Sequence, residues 1–340
     1  MGQPRGRADR ERLLDDLVVQ TTDYHTAGEP FRIVSGGVAQ LEGATILEKR
    51  RFALERLDEV RKLLVHEPRG HADMYGCFVT EPNDPAGDLG AVFFHNAGYS
   101  TACGHGTIAL VTWALESGVI AAAEPETRVV VDVPSGRLEA VASVREGRVE
   151  GVRFTNVPSY VEAHGLEAGG LRVDVAFGGA FYASVESPLP VAKESLPRLI
   201  ELGREVKREL EAGREFVHPV EPELRDIYGV IFFERIDAGP PLRQRNVTIF
   251  ADGEVDRSPC GSGTSARLAL LDAAAELARG EDLLHESIVG TAFSARVVGD
   301  ADVAGRPAVV TEVGGSAHRT GEHEFVLDPR DELGTGFLLR

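Results

Sequence analysis

Apolar residues recur along the chain in two series that share an order of parts. In the first, Phe52, Leu57, Val60 and Leu64 stand at helical spacing within residues 47–65, which predicts an amphipathic helix. Cys77-Phe78-Val79 and Ala91-Val92-Phe93-Phe94 are short apolar runs and read as strands. A helix is expected over about 105–117, with Gly118 as its C-cap. Strand-like stretches follow at 129–133, 138–144 and 149–154. In the second series, residues 196–212 are again amphipathic, and 230–233 and 247–250 are strand-like. A helix is expected from Ser262 to about Arg279, closed by Gly280, with strands at 291–298 and 308–313.

Two of these helices have almost no polar face. Ile108, Leu110, Val111, Trp113 and Leu115 cover one, and Leu268, Leu270, Leu271 and Leu277 stand among alanines on the other. A helix apolar nearly all round is a buried helix. The expected fold class is therefore α/β (α+β), with two pseudo-symmetric halves. Each half is a strand-rich sheet or barrel wrapped around a central helix. Residues 1–16 read as a polar leader. Residues 17–147 with 321–340 form one half, and 148–320 the other.

The entries to the two buried helices are near copies. Residues 103–109 read Cys-Gly-His-Gly-Thr-Ile-Ala, and 260–266 read Cys-Gly-Ser-Gly-Thr-Ser-Ala. The chain has 3 cysteines, and two of them open these copies. A helix start offers unpaired N–H groups and a dipole that favours negative charge, which predicts lowered thiol pKa values. The glycines let a ligand approach the backbone, and the same N–H groups suit a carboxylate. Two such starts facing each other predict one carboxylate held between two thiols. One thiolate then takes a proton from the adjacent carbon, and the other thiol returns one to the opposite face.

Blander readings exist for each residue. A lone buried cysteine is usually a small hydrophobe, which is the reading for Cys77. A metal held by Cys103, His105 and Cys260 needs a fourth ligand, and two facing thiols also suit a redox pair. Asp256, four residues before Cys260, is a candidate partner for a substrate ammonium, or an exposed turn acid. His105 offers its backbone N–H to a carboxylate, tunes the thiol, or simply packs. For His25, His71 and Asp73 the pattern leaves open whether they face the site or lock a loop.

Bulk composition narrows the class. The 340 residues are 43% hydrophobic and 26% charged, normal for a globular chain. A net charge of −18, from 54 acids and 36 bases, argues against a nucleic-acid or anionic-membrane partner. No apolar run has membrane-spanning length, and no signal peptide is recognisable. Three cysteines without a Cys-x-x-Cys pair read as reduced, cytoplasmic thiols. No phosphate loop, nicotinamide fingerprint or metal cluster is visible, so no cofactor is expected.

At these residues the chain resembles the proline racemase family. The matching segments are residues 23–30, 67–76, 95–99, 103–105, 178–182 and 256–261. The resemblance implies the fold shared with diaminopimelate epimerase, with the active site between two similar halves. It implies a cofactor-free enzyme, commonly a homodimer, acting on proline or hydroxyproline. By motif, Cys103 and Cys260 are the proton-transfer residues. Gly104, His105, Gly261 and Ser262 bind the carboxylate, and Asp256 the ring nitrogen. Racemases and 4-hydroxyproline epimerases of that family carry cysteine at both positions, whereas trans-3-hydroxy-L-proline dehydratases have threonine at the second. Cys260 therefore favours inversion. Residues 67–76, 95–99 and 178–182 are at least as similar to the dehydratases, which keeps that lyase activity as the alternative. A non-enzymatic amino-acid-binding or thiol-redox protein is the reading from a different class.

Overall fold

The computed structural model describes residues 17–339; the expected leader at 1–16 lies outside them. In the first half, β1 (Val18–Thr26) pairs antiparallel with β2 (Glu29–Gly36), which runs parallel to β3 (Tyr75–Thr80). The next strand, β4 (Leu89–His95), is antiparallel to β3, turns back into β5 (Gly98–Tyr99) and runs parallel to β6 (Glu126–Val133). Then β7 (Gly136–Arg145) and β8 (Arg148–Thr155) follow antiparallel, so the strand scheme of this half runs past the expected boundary at 147.

The second half repeats this scheme strand for strand. Strand β9 (Tyr160–Ala168) flanks β10 (Leu171–Phe177), which pairs antiparallel with β11 (Phe181–Glu186). Next, β11 runs parallel to β12 (Ile227–Asp237), and β12 antiparallel to β13 (Leu242–Phe250). Strand β13 takes the short return β14 (Glu254–Asp256) and the parallel β15 (Leu283–Ser287). Two antiparallel strands, β16 (Ala292–Val303) and β17 (Arg306–Gly315), complete it. The counterpart of β9 is β18 (Ala317–Val326), which returns to β1. Strand β8 pairs with β7 on one edge and with β17 on the other, so it joins the two sheets.

Each sheet wraps one helix, as the apolar pattern predicts. Every residue of α3 (Gly104–Glu116) from Gly104 to Leu115 is buried, and every residue of α5 (Gly261–Ala273) from Gly261 to Leu271. Outer helices cover the other faces. They are α1 (Ile46–Arg56) and α2 (Asp58–Val65) on the first half, and α4 (Leu196–Gly213) on the second. Strand β4 shows the layering: Ala91 and Phe93 join the inner core, while Val92 and Phe94 join Ile46, Ala53, Val60 and Leu64 under the outer helices. Alternation on a strand sends neighbours to opposite faces, so a run apolar at every position is covered on both.

Two helices depart from the predicted spans. The helix expected over 47–65 breaks at Leu57, whose φ is −116° and ψ 9°. The break lets buried Arg61 of α2 donate to the carbonyls of His95 and Asn96 at 2.7 and 2.6 Å. Periodicity alone does not show such a tertiary demand. Helix α5 stops at Ala273 rather than near Arg279. Ala275 takes φ 52°, the Ala275 N–H reaches Asp272 O at 3.0 Å, and the Glu276 N–H reaches Leu271 O at 2.9 Å. This is a Schellman close with alanine where glycine is usual, which hid it in the sequence. A Cβ in the left-handed region costs about 1 kcal/mol. Ala275→Gly is therefore expected to raise unfolding stability by roughly 1 kcal/mol in a urea melt; a loss of stability would contradict the close.

Candidate active site

Helices α3 and α5 meet at their first residues. A Cβ on Gly104 would stand 2.5 Å from Gly261 Cα, and one on Gly261 would stand 2.7 Å from Gly104 Cα. Real side chains do not tolerate such distances, so both copies of the motif need glycine there. The preceding cysteines consequently flank one closed cavity. Cys103, Gly104, His105, Asp256, Cys260, Gly261 and Ser262, the seven residues singled out from sequence, all line it. Its volume is about 10 Å³, room for about one water. As it stands, the cavity is too small for a proline-sized molecule.

The two thiols are held differently. Cys103 is the N-cap of α3 with extended backbone, and its Sγ accepts the Gly106 N–H at 3.3 Å. His105 Nε2 lies 3.4 Å from the same sulfur. Cys260 precedes α5 with φ 63°, and its thiol makes no cap bond. Instead its Sγ donates to Tyr182 Oη at 3.7 Å, while Tyr182 Oη and Ser262 Oγ stand 2.7 Å apart. A positive φ on a residue with a Cβ is strained, and here it turns the thiol toward the cavity that Cys103 faces.

The electrostatics correct one expectation. The helix starts predict lowered thiol pKa values, but burial pushes both thiols up. The Gly106 N–H works against this at Cys103 without cancelling it. Removing a thiolate from water outweighs two helix ends when the cavity is shut. Burial also lowers His105 to about 3, so its ring is neutral, packed edge-on against Phe31 and Tyr75. Asp256 is buried and raised to about 6, first by desolvation. Its Oδ1 accepts the N–H and the hydroxyl of Ser258, both at 2.7 Å.

Three tyrosines in the lining were not foreseen. Tyr75, Tyr182 and Tyr228 face the cavity, half of the 6 in the chain. Tyr75 Oη and Tyr228 Oη are 2.7 Å apart, one from each half. Burial holds all three well above the usual phenol value, so they are neutral donors. A single tyrosine within a strand has no spacing signal in the sequence. His25, His71 and Asp73 are not in the lining. The His25 ring lies 5.3 Å from that of His318, exposed His71 folds onto the Ala72 carbonyl, and Asp73 pairs with Arg257 at 2.9 Å. Cys77 is fully buried in β3. Among the described residues no helix is long and apolar enough to cross a membrane.

A family model described as proline racemase matches residues 21–338. A trans-3-hydroxy-L-proline dehydratase of Bacillus cereus is 44% identical over 329 residues, covering 95% of this chain and 98% of that protein. A 3-hydroxyproline 2-epimerase of Burkholderia multivorans is 46% identical over 330 residues, with the same two shares of 95% and 98%. A solved hydroxyproline epimerase from Agrobacterium vitis, with bound trans-4-hydroxy-L-proline, has a TM-score of 0.88 at 34% identity. It covers 96% of this chain and 97% of its own. A phenazine biosynthesis protein of the PhzF family from Bacillus anthracis shares the fold, with a TM-score of 0.55 at 14% identity, over 91% of this chain and 99% of its own. With the fold and this match along nearly its whole length, the chain belongs to the proline racemase family.

Proposed function

We propose that this protein inverts the α-carbon of proline or a hydroxyproline without a cofactor, using Cys103 and Cys260 on opposite faces. The observation that carries this reading is the shared cavity: two thiols, each preceding a helix start, in one space with the Gly104–Gly261 contact at its back. The first N–H groups of α3 and α5, at Gly104, His105, Gly261 and Ser262, have no partner within their helices and receive the substrate carboxylate. Asp256 receives the ring ammonium.

One cysteine, as thiolate, takes the α-proton; the C–H electron pair moves into the bond to the carboxylate. The fixed N–H dipoles stabilise the charge that gathers on its oxygens. The opposite thiol then gives its proton to the other face of the carbon and becomes the thiolate. Because burial raises both thiols in the shut cavity, the working thiolate forms while the cleft is open to water, and closure on the substrate ammonium retains it. Two thiols that must stay reduced favour a reducing compartment, the cytoplasm. The family resemblance is what supports a homodimer.

A second reading has an observation in its favour: trans-3-hydroxy-L-proline dehydratase is the name of a relative 44% identical over 95% of the chain. There, one base takes the α-proton, and a proton delivered to the 3-hydroxyl lets it depart as water while the C–H electron pair forms the ring double bond. The resulting enamine rearranges to pyrroline-2-carboxylate. That activity needs one base and a proton donor for the leaving group, not two opposed thiols.

Cys103→Ser and Cys260→Ser are each expected to lower the rate of inversion by at least about a thousandfold; inversion that survives in both single variants would sink the two-thiol mechanism. If the protein is a dehydratase, Cys260→Thr is expected to retain or raise release of pyrroline-2-carboxylate from trans-3-hydroxy-L-proline, and a dead variant would remove that reading. The Asp256 carboxylate is charged above its pKa and neutral below it, so the ammonium loses its partner in acid. Substrate affinity of the Cys103→Ser variant, measured by calorimetry, is expected to weaken about tenfold per pH unit below about 6. Affinity that stays flat there would contradict the role of Asp256.

A further inference from the structure

The segment that carries Asp256 and Cys260 is anchored by the opposite half of the molecule. Arg257 follows Asp256 directly. Its backbone N–H donates to Glu29 Oε2 at 2.6 Å, and its guanidinium lies 2.9 Å from Asp73 Oδ2. Glu29 opens β2 and Asp73 precedes β3, so both acids belong to the half that carries Cys103. Both are buried, Glu29 at 0% exposure and Asp73 at 3%. The guanidinium also donates to Val255 O at 2.8 Å, which holds it along its own strand.

Through the backbone, Arg257 joins residues whose own hydrogen bonds hold the reacting groups. Ser258 donates twice to Asp256, and its hydroxyl oxygen accepts the Cys260 N–H at 3.1 Å. Acids of one half therefore fix the carboxylate and the thiol of the other. A neighbouring bond from the Thr291 hydroxyl to Ala27 O, at 2.6 Å, docks the same β1–β2 turn. Opening the cleft pulls these groups apart. A buried charge stripped of its partner is costly, so both grips on Arg257 hold together or release together into water.

We propose that Arg257 is a positioning residue, gripped by Glu29 and Asp73 across the cleft, that sets Asp256 and Cys260 in the closed site and is released when the cleft opens. Its part in turnover rests on the reading of Asp256 as partner of the substrate nitrogen. Its part in closure does not.

The test is thiol labelling of the ligand-free full chain with iodoacetamide. Cys103 and Cys260 are reached only through open molecules, and Cys77, fully buried in β3, reports general unfolding. Asp73→Asn removes the charge at nearly constant size, and Arg257→Met removes the guanidinium but keeps a stem. Each is expected to speed labelling of Cys103 and Cys260 by about tenfold or more, with Cys77 still slow. Because both remove one shared contact, the double variant is expected to match the single ones rather than multiply them. In turnover, Asp73→Asn is expected to raise KM more than it lowers kcat. Unchanged labelling in both single variants overturns the proposal. So does a double variant equal to the product of the two, Cys77 labelled in step with the others, or a turnover loss confined to kcat. Labelling needs no substrate, so its result is independent of whether the protein moves the α-proton of any proline.

Discussion

Everything in this molecule is arranged around two helix starts in backbone contact. Gly104 and Gly261 come so close that neither has room for a methyl group. Both ends carry the positive pole of a helix dipole, so their approach is electrostatically unfavourable until an anion lies between them. The fold supplies what holds them there. Both helices are buried along nearly their full length, the sheets wrap them, and β8 paired with β17 ties one sheet to the other. In the proposed reading a carboxylate relieves the conflict by taking N–H groups from both ends at once, and the carbon attached to it lies between Cys103 and Cys260.

Burial gives that arrangement its conformational logic. In the shut cavity both thiols are pushed toward the neutral form, and three neutral phenols line the walls. In the proposed mechanism charge enters with the substrate, a carboxylate for the helix ends and an ammonium for Asp256, and opening of the cleft serves both entry and ionisation. The Arg257 grip, Tyr75 against Tyr228, and Thr101 bonded to Gly179 O at 2.9 Å all cross the cleft, so several separate polar contacts hold the two halves together.

Much of this was legible in the sequence because duplication makes weak signals strong. One glycine-rich turn before a helix is common; two copies with cysteine first, each leading into an all-apolar helix, single out both thiols and both helix starts that line the cavity. Spacing to Cys260 left Asp256 either a substrate partner or an exposed turn acid, and the fold buries it in the cavity lining. Other features were not legible. Tyr75, Tyr182 and Tyr228 stand in ordinary strand contexts and reach the cavity only through tertiary pairing. The break at Leu57 answers to carbonyls some forty residues away in the chain. The close of α5 uses Ala275 where glycine is the recognisable sign. The direction of the thiol shifts was misread because a local dipole argument omits desolvation, which depends on how tightly the two halves shut.

The most direct measurement is proton NMR of the wild-type protein in deuterium oxide with reducing agent, following proline, trans-4-hydroxy-L-proline and trans-3-hydroxy-L-proline in separate samples. The account predicts that one of them loses its α-proton signal with the ring intact while the opposite enantiomer or epimer, deuterated at the α-carbon, accumulates. Conversion of the 3-hydroxy substrate alone to pyrroline-2-carboxylate, with no epimer formed from any of the three, would contradict it.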